Sequence, residues 1–271
     1  MGQYNSSNNT YIPQSKTLHE TSLSVDRHGN PISGEYVLDI AKGVIPGHSV
    51  AFVSGRNPSV NTAITPCTIW NGDGTYPWSA WDPGANTIYL SSNNAADTAN
   101  VTIIGLDTNF DPLVTSIQLN GLTSVNTGNT KFRRINSAYY TDSGSVNLGT
   151  INIRVANTTG TVVGRIDAQF GQTTMAIYTV PRNHTAYSAY GDFSVNKNEG
   201  AELSVRWRFP GSGFVTVYGI ELYQSTYSAA PLIPGKLPGM TDIDNCSRFV
   251  TTNGTRIYSN QQLVLVADTQ L

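Results

Sequence analysis

The chain has 271 residues, of which 39% are apolar and only 13% charged, with a formal net charge of −2. An average soluble domain carries about 25% charged residues; here small polar chemistry replaces charge, with Asn, Ser and Thr filling 81 positions beside 25 Gly and 13 Pro. That balance excludes a charge-driven nucleic-acid binder, which needs basic blocks to neutralise phosphates. It also excludes a highly charged disordered chain, because aromatics alone reach 10%.

In chain order, residues 1–35 read as an extended N-terminal arm. They are polar and contain the breaker cluster Asp26-Arg27-His28-Gly29-Asn30-Pro31. A segment this polar does not bury enough surface to order itself alone, so it is expected disordered or laid along a partner. No apolar run reaches the length of a membrane span, and the first residues lack the cationic-then-apolar pattern of a secretory signal. The expectation is no membrane partner.

Residues 36–84 give mixed signals. Residues 37–40 and 50–53 are short strand candidates separated by Ile45-Pro46-Gly47-His48, and a Gly/Pro/Asn-rich stretch follows with four large aromatics, Trp70, Tyr76, Trp78 and Trp81.

From residue 85 an alternating, period-2 pattern takes over. It predicts strands at 87–91, 100–106, 113–119, 131–140, 149–155 and 161–167. A second block follows at 173–180, 185–195, 200–209, 213–224, 241–250 and 261–268. Asn120-Gly121 suits a type I′ turn. The segment 201–209 is the clearest strand: Ala201, Leu203, Val205, Trp207 and Phe209 form one row, Glu202, Ser204, Arg206 and Arg208 the other. Burying the large apolar members is worth about 1.5–3 kcal/mol each, which a one-residue register slip would forfeit. Segment 213–224 is apolar on both faces and is expected to be central or covered by a neighbouring subunit. Asp242 and Asp244, two apart on a strand, share a face. No 11-residue window has helical periodicity. The pattern therefore predicts an all-β fold with two antiparallel β-sandwich, jelly-roll-like domains, residues 36–170 and 171–271, behind the arm of residues 1–35.

Candidate chemistry is sparse. Of the four His, His19 and His28 lie in the arm. His48 follows Pro46-Gly47 but lacks the nucleophile-elbow glycine pattern, and reads as a turn residue with one backbone hydrogen bond. Asn71-Gly72-Asp73-Gly74-Thr75 lacks the acidic ladder of a calcium loop. No phosphate loop, dinucleotide fingerprint or zinc motif occurs. The expectation is a non-enzyme with no catalytic residues, no cofactor and no metal. Cys67 and Cys246 are the only cysteines; they could form one disulfide, but nothing in the sequence forces it, and the expectation is two free small hydrophobes. The aromatics Trp70, Tyr76, Trp78 and Trp81 are the candidate functional residues, as core or subunit interface or, if exposed, as a stacking platform for glycans. The excess of Arg over Lys suits subunit pairing.

Several segments resemble virion structural proteins of tailed bacteriophages: residues 39–49 (Asp39 to Ser49), 71–78 (Asn71 to Trp78), 104–110 (Ile104 to Phe110), 114–121 (Val114 to Gly121), 132–136 (Phe132 to Asn136) and 171–181 (Gly171 to Pro181). The likeness spans about residues 36–271 and brings no catalytic residues with it. It implies a structural component of the particle, assembled in the host cytoplasm: a capsid decoration, cement or head accessory protein. Its partners would be the major capsid protein or tail and neck proteins, and no nucleic acid. Sandwich subunits with arms commonly close as homo-oligomers, a trimer being favoured. The alternative is a tail, neck-fibre or receptor-binding module whose aromatics stack on host glycans.

Overall fold

In the computed structural model the described residues are 3–5, 10–12, 24–25, 31–32, 36–61, 66–72, 74–81, 84–142, 144–196, 199–230 and 235–270, with side chains from residue 38 to 269. The chain divides into two units, Met1–Val50 and Ala51–Leu271. In the first, β1 (Gln3–Asn5) pairs antiparallel with β2 (Thr10–Ile12), and β3 (Ser24–Val25) with β4 (Pro31–Ile32). The remainder of the expected arm lies outside the described residues. Tyr36–Ala41 forms a short helix, α1, closed by the Lys42 N–H donating to the Leu38 carbonyl. The strand expected at 37–40 is thus corrected to helix, because a four-residue segment is too short to carry a period that separates the two.

The strands that follow are all antiparallel wherever their register is defined. They are β5 (His48–Val60), β6 (Cys67–Thr68), β7 (Asn86–Ser92), β8 (Asn100–Leu106), β9 (Pro112–Gln118), β10 (Val125–Phe132) and β11 (Arg134–Thr141). After them come β12 (Ile151–Val155), β13 (Val162–Ile166), β14 (Ile177–Thr179), β15 (His184–Val195), β16 (Gly200–Arg208) and β17 (Phe214–Tyr223). The last are β18 (Thr226–Ala229), β19 (Gly235–Leu237), β20 (Asp242–Val250) and β21 (Thr255–Ala267). The protein is all-β, as its composition predicts.

Among the described residues, four sheets build the body. A four-stranded sheet in the order β10-β7-β12-β13 and a three-stranded sheet β11-β8-β9 share one buried cluster, with Ile88, Leu90, Ile151 and Ile153 from the first and Val101, Ile103 and Ile135 from the second. A sheet β14-β20-β16-β17, extended by β6, and a sheet β18-β15-β21-β5, extended by β19, enclose two further clusters around Leu203, Val250 and Ile257 and around Val53, Ile243 and Leu263. This is β-sandwich character: the alternating rows of β12 and β16 turn their apolar members inward.

Strand pairing departs from the expected partition at residue 170. β5 and β6 fall inside residues 36–170, yet β5 lies beside β21 and β6 pairs with β20. Long-range pairing leaves no trace in local periodicity. Gly55 in β5 shows how tightly the segment is held, since a Cβ there would lie 2.3 Å from the Ala176 nitrogen and 2.4 Å from the Ile69 carbonyl.

Three finer expectations are corrected. Residues 131–140 split into the end of β10 and the start of β11, and β10 begins earlier among turn-type residues, with a register shift between Asn126 and Lys131. Asn120 pairs with Thr123, and of the pair Asn120-Gly121 only Gly121 takes a positive φ, +54°. The loop is therefore Gly121-Leu122, with glycine first as in a type II′ turn, and not type I′. Among the described residues β17 has one strand neighbour, β16, and is the edge of its sheet, so of the two positions expected for it the central one is corrected.

Candidate functional site

The four sequence-predicted aromatics come together, but in the core. Trp70, Tyr76, Trp78 and Trp81 are 2%, 2%, 7% and 0% exposed and belong to the buried cluster of the first pair of sheets. Their faces are therefore not presented to solvent as a glycan platform. A Gly/Pro-rich segment has little local core of its own, but tertiary folding wraps this one in the body. Trp70 meets Tyr76 edge-on at 5.1 Å, Tyr76 meets Trp78 at 4.8 Å, and Trp78 leans on Phe214 at 5.4 Å. Each polar edge is satisfied, as burial demands. The Tyr76 hydroxyl donates to the Val163 carbonyl at 3.0 Å, Trp81 Nε1 donates to the Tyr76 oxygen at 3.2 Å, and Trp70 Nε1 donates to the Gly74 carbonyl at 3.1 Å. Burial pushes the Tyr76 phenol well above its usual range.

The segment ends on a buried ionic ladder built by register. β16 and β20 pair Arg206 with Asp244 and Arg208 with Asp242 directly across the sheet. Asp244 accepts from Arg206 Nη2 at 2.6 Å, from Trp78 Nε1 at 3.2 Å and from Thr68 Oγ1 at 3.4 Å, all at Oδ2. Asp242 accepts from Arg134 Nε at 3.0 Å, from Arg208 Nε at 2.9 Å and from the Thr179 hydroxyl at 2.5 Å. Both aspartates are buried. Burial holds the Asp244 carboxyl above the usual carboxylate range, outweighing the attraction of Arg206 and the hydrogen bonds from Trp78, Arg206 and Thr68.

The guanidinium planes also stack on aromatic faces. Arg208 lies 5.0 Å from the Trp78 ring and 4.8 Å from Phe214, and Arg206 lies 5.1 Å from Phe214. Arg134 lies 5.6 Å from both Trp78 and Phe110. Arg133 donates to the Trp81 carbonyl at 2.6 Å. Beside this ladder lies an open cavity of about 430 Å³, edged by Arg133, Arg134, Arg208, Phe110 and Phe209, with Asp242 as its acidic member. Pinned, stacked guanidinium groups are rigid, and their chemistry is that of a structural lock with a cationic rim.

Sequence reasoning reached parts of this ladder. It placed Asp242 and Asp244 on one face and Arg206 and Arg208 in one row. It missed that the rows meet, and that Arg134, Thr68 and Thr179 join them, because those partners come from distant strands. His48 opens β5 rather than sitting in a turn, and makes a backbone hydrogen bond of the kind expected, with Nδ1 3.0 Å from the Pro46 carbonyl. Cys67 and Cys246 lie on the paired strands β6 and β20 without a disulfide. Burial, reinforced by Asp244, pushes the Cys246 thiol up to about 11.

No protein-family model and no curated protein matches the sequence. No helix among the described residues is long and apolar enough to cross a membrane. Among solved structures, the chain is similar to the PBSX exported protein XepA at 8% identity, covering 96% of this chain and 93% of that one with a TM-score of 0.20. It is similar to the tandem CBM22 domains of Xyn10C from Paenibacillus barcinonensis at 11% identity, covering 68% of this chain and 78% of that one with a TM-score of 0.23. A third likeness is to the infectious bursal disease virus Gt strain at 9% identity, covering 88% of this chain and 79% of that one with a TM-score of 0.22. At TM-scores this low none of these proteins lends its role to this chain.

Proposed function

We propose that this chain is a structural component of a tailed-phage virion, a capsid decoration, cement or head accessory protein built of two jelly-roll-like sandwiches. The observation that carries the reading is where the phage-like segments meet. Trp78 from residues 71–78, Arg134 from residues 132–136 and Thr179 from residues 171–181 all donate to the Asp242–Asp244 pair. Three of the six segments that carry the resemblance thus meet in one framework of buried packing and ion pairing. Such a framework serves a rigid building block, and a cement protein must hold its shape under load.

One further feature supports an assembling part. β17 is a sheet edge that leaves Val215, Val217 and Tyr223 exposed, and an unblunted apolar edge suits pairing with a neighbour. Partners on this reading are further copies of the chain and the major capsid protein. The test is copy number per particle, by quantitative mass spectrometry of purified virions against the major capsid protein. Hundreds of copies support decoration of the capsid. A few to a few dozen move the protein to the tail or neck, and absence from the particle overturns the reading.

A further inference from the structure

The open cavity of about 430 Å³ beside the ionic ladder has a lining of two kinds. One part is cationic: Arg133, Arg134 and Arg208 stand around a single acidic side chain, Asp242. Arg134 and Arg208 each bond Asp242 through Nε and Nη2, and the Thr179 hydroxyl adds a fifth donor. A carboxylate offers about four lone-pair sites, so this one is saturated. Arg134 and Arg208 thus share one negative charge, and the pair alone leaves one positive charge in excess. The neighbouring acids do not supply the balance. Asp244 is matched by Arg206 at 2.6 Å and Asp111 by Arg182 at 2.9 Å. Asp107 turns Oδ1 onto the N–H groups of Asn109 and Asp111.

The excess charge is within reach of a ligand. Arg208 engages Asp242 with the Nε–Nη2 side of its guanidinium. The Nη1–Nη2 end is a second planar fork, of the geometry that matches a carboxylate. Nη1 bonds nothing among the described residues and remains open to solvent, and the Arg208 side chain is 22% exposed. The other part of the lining is apolar: Phe110, Phe209, Pro210 and Met240. Two of these, Phe110 and Met240, have φ +63°, a backbone conformation rare outside glycine. Each is tied in place: the Phe110 carbonyl accepts from the Arg182 N–H at 2.8 Å, and the Met240 N–H donates to the Val180 carbonyl at 2.8 Å. Strain of this kind persists where the surroundings over-determine it, and it clusters at ligand sites. A bare inorganic anion answers only the cationic part of the lining. A carboxylate carried on a flat apolar body answers both.

We propose that this cavity binds an organic monocarboxylate, its carboxylate on the Nη1–Nη2 end of Arg208 and its apolar body against Phe110, Phe209 and Met240. The site does not depend on the virion role. Its test is NMR of the full chain labelled at the methionine methyl groups. Met240 lines the cavity and is assigned through Met240→Leu, while Met175, buried in the first core cluster, is an internal reference. Benzoate is titrated beside acetate, inorganic phosphate and benzyl alcohol, which separate the charge from the apolar body. The expected result is a saturable shift of the Met240 methyl with benzoate, at an affinity about tenfold or more above the other three, with the Met175 methyl unmoved. Arg208 itself is left in place, because its removal would strip the buried Asp242 of a partner. Ser212, exposed on the hairpin between β16 and β17 and part of the cavity lining, is changed instead. Ser212→Glu brings a competing carboxylate to the cavity and should weaken benzoate about tenfold, the loss of one charge-assisted bond. Ser212→Gln, of the same size and neutral, should bind as the parent does. No saturable shift with benzoate, an equal response to acetate, phosphate or benzyl alcohol, or equal affinities in Ser212→Glu and Ser212→Gln overturns the proposal.

Discussion

Arg206 and Asp244 show how a single charge pair can depend on everything around it. Asp244 is fully enclosed and Arg206 nearly so. Taking a carboxylate out of water is costly, and the attraction of one guanidinium does not fully offset it. The folded carboxyl therefore holds its proton to a higher pH than the ordinary value of 3.8. With a raised folded pKa, the contribution of Asp244 to stability is fully present below its unfolded pKa and is lost as pH rises through the folded one. Arg206→Met removes the nearest cation and leaves the carboxylate with Trp78 and Thr68 only. The expected cost at pH 7 is about 3–5 kcal/mol, measured by urea denaturation. Removing the cation raises the Asp244 pKa further, so the loss should shrink as the medium is acidified through that value. A loss independent of pH would show that Arg206 acts by packing alone.

At the scale of elements, the aromatic segment and β17 behave in opposite ways. Trp81 closes a short 3-10 turn, Trp78–Trp81, and is fully buried. It bonds Tyr76 through its indole and receives Arg133 through its carbonyl. Trp81→Ala should cost about 3–5 kcal/mol in chemical denaturation; retained stability would return the segment to the surface role that its sequence also allowed. β17 instead shows solvent an apolar row, with Val215 47% exposed. Val215→Lys should leave folding free energy within about 0.5 kcal/mol of the parent. On the proposed assembly role it should also lower the sedimentation-derived oligomeric state, and an unchanged state would remove β17 from the assembly surface.

At the scale of the whole molecule, the proposed role divides the labour between a rigid body and an N-terminal segment that engages a neighbour. Deleting residues 1–35 should leave the cooperative unfolding of the body in place while abolishing incorporation into particles, read by mass spectrometry of virions assembled with the truncated chain. Normal incorporation would move the assembly determinants into the body, with the β17 edge first among them.

Composition and periodicity by themselves determined the all-β class, most strand positions and the facing of their rows, because a period of two is a local property that neighbouring residues write into the chain. The rows of 201–209 and the shared face of Asp242 and Asp244 were legible for that reason. Only the tertiary structure decided which rows meet. Arg206 opposes Asp244 through a pairing 38 residues long in sequence, and Arg134 reaches Asp242 from 108 residues away. Pairing at that range depends on the summed burial and hydrogen bonding of whole sheets. The same distance hid the burial of Trp70, Tyr76, Trp78 and Trp81, whose buried neighbours come from strands as far along the chain as β14 and, at Trp78, β17.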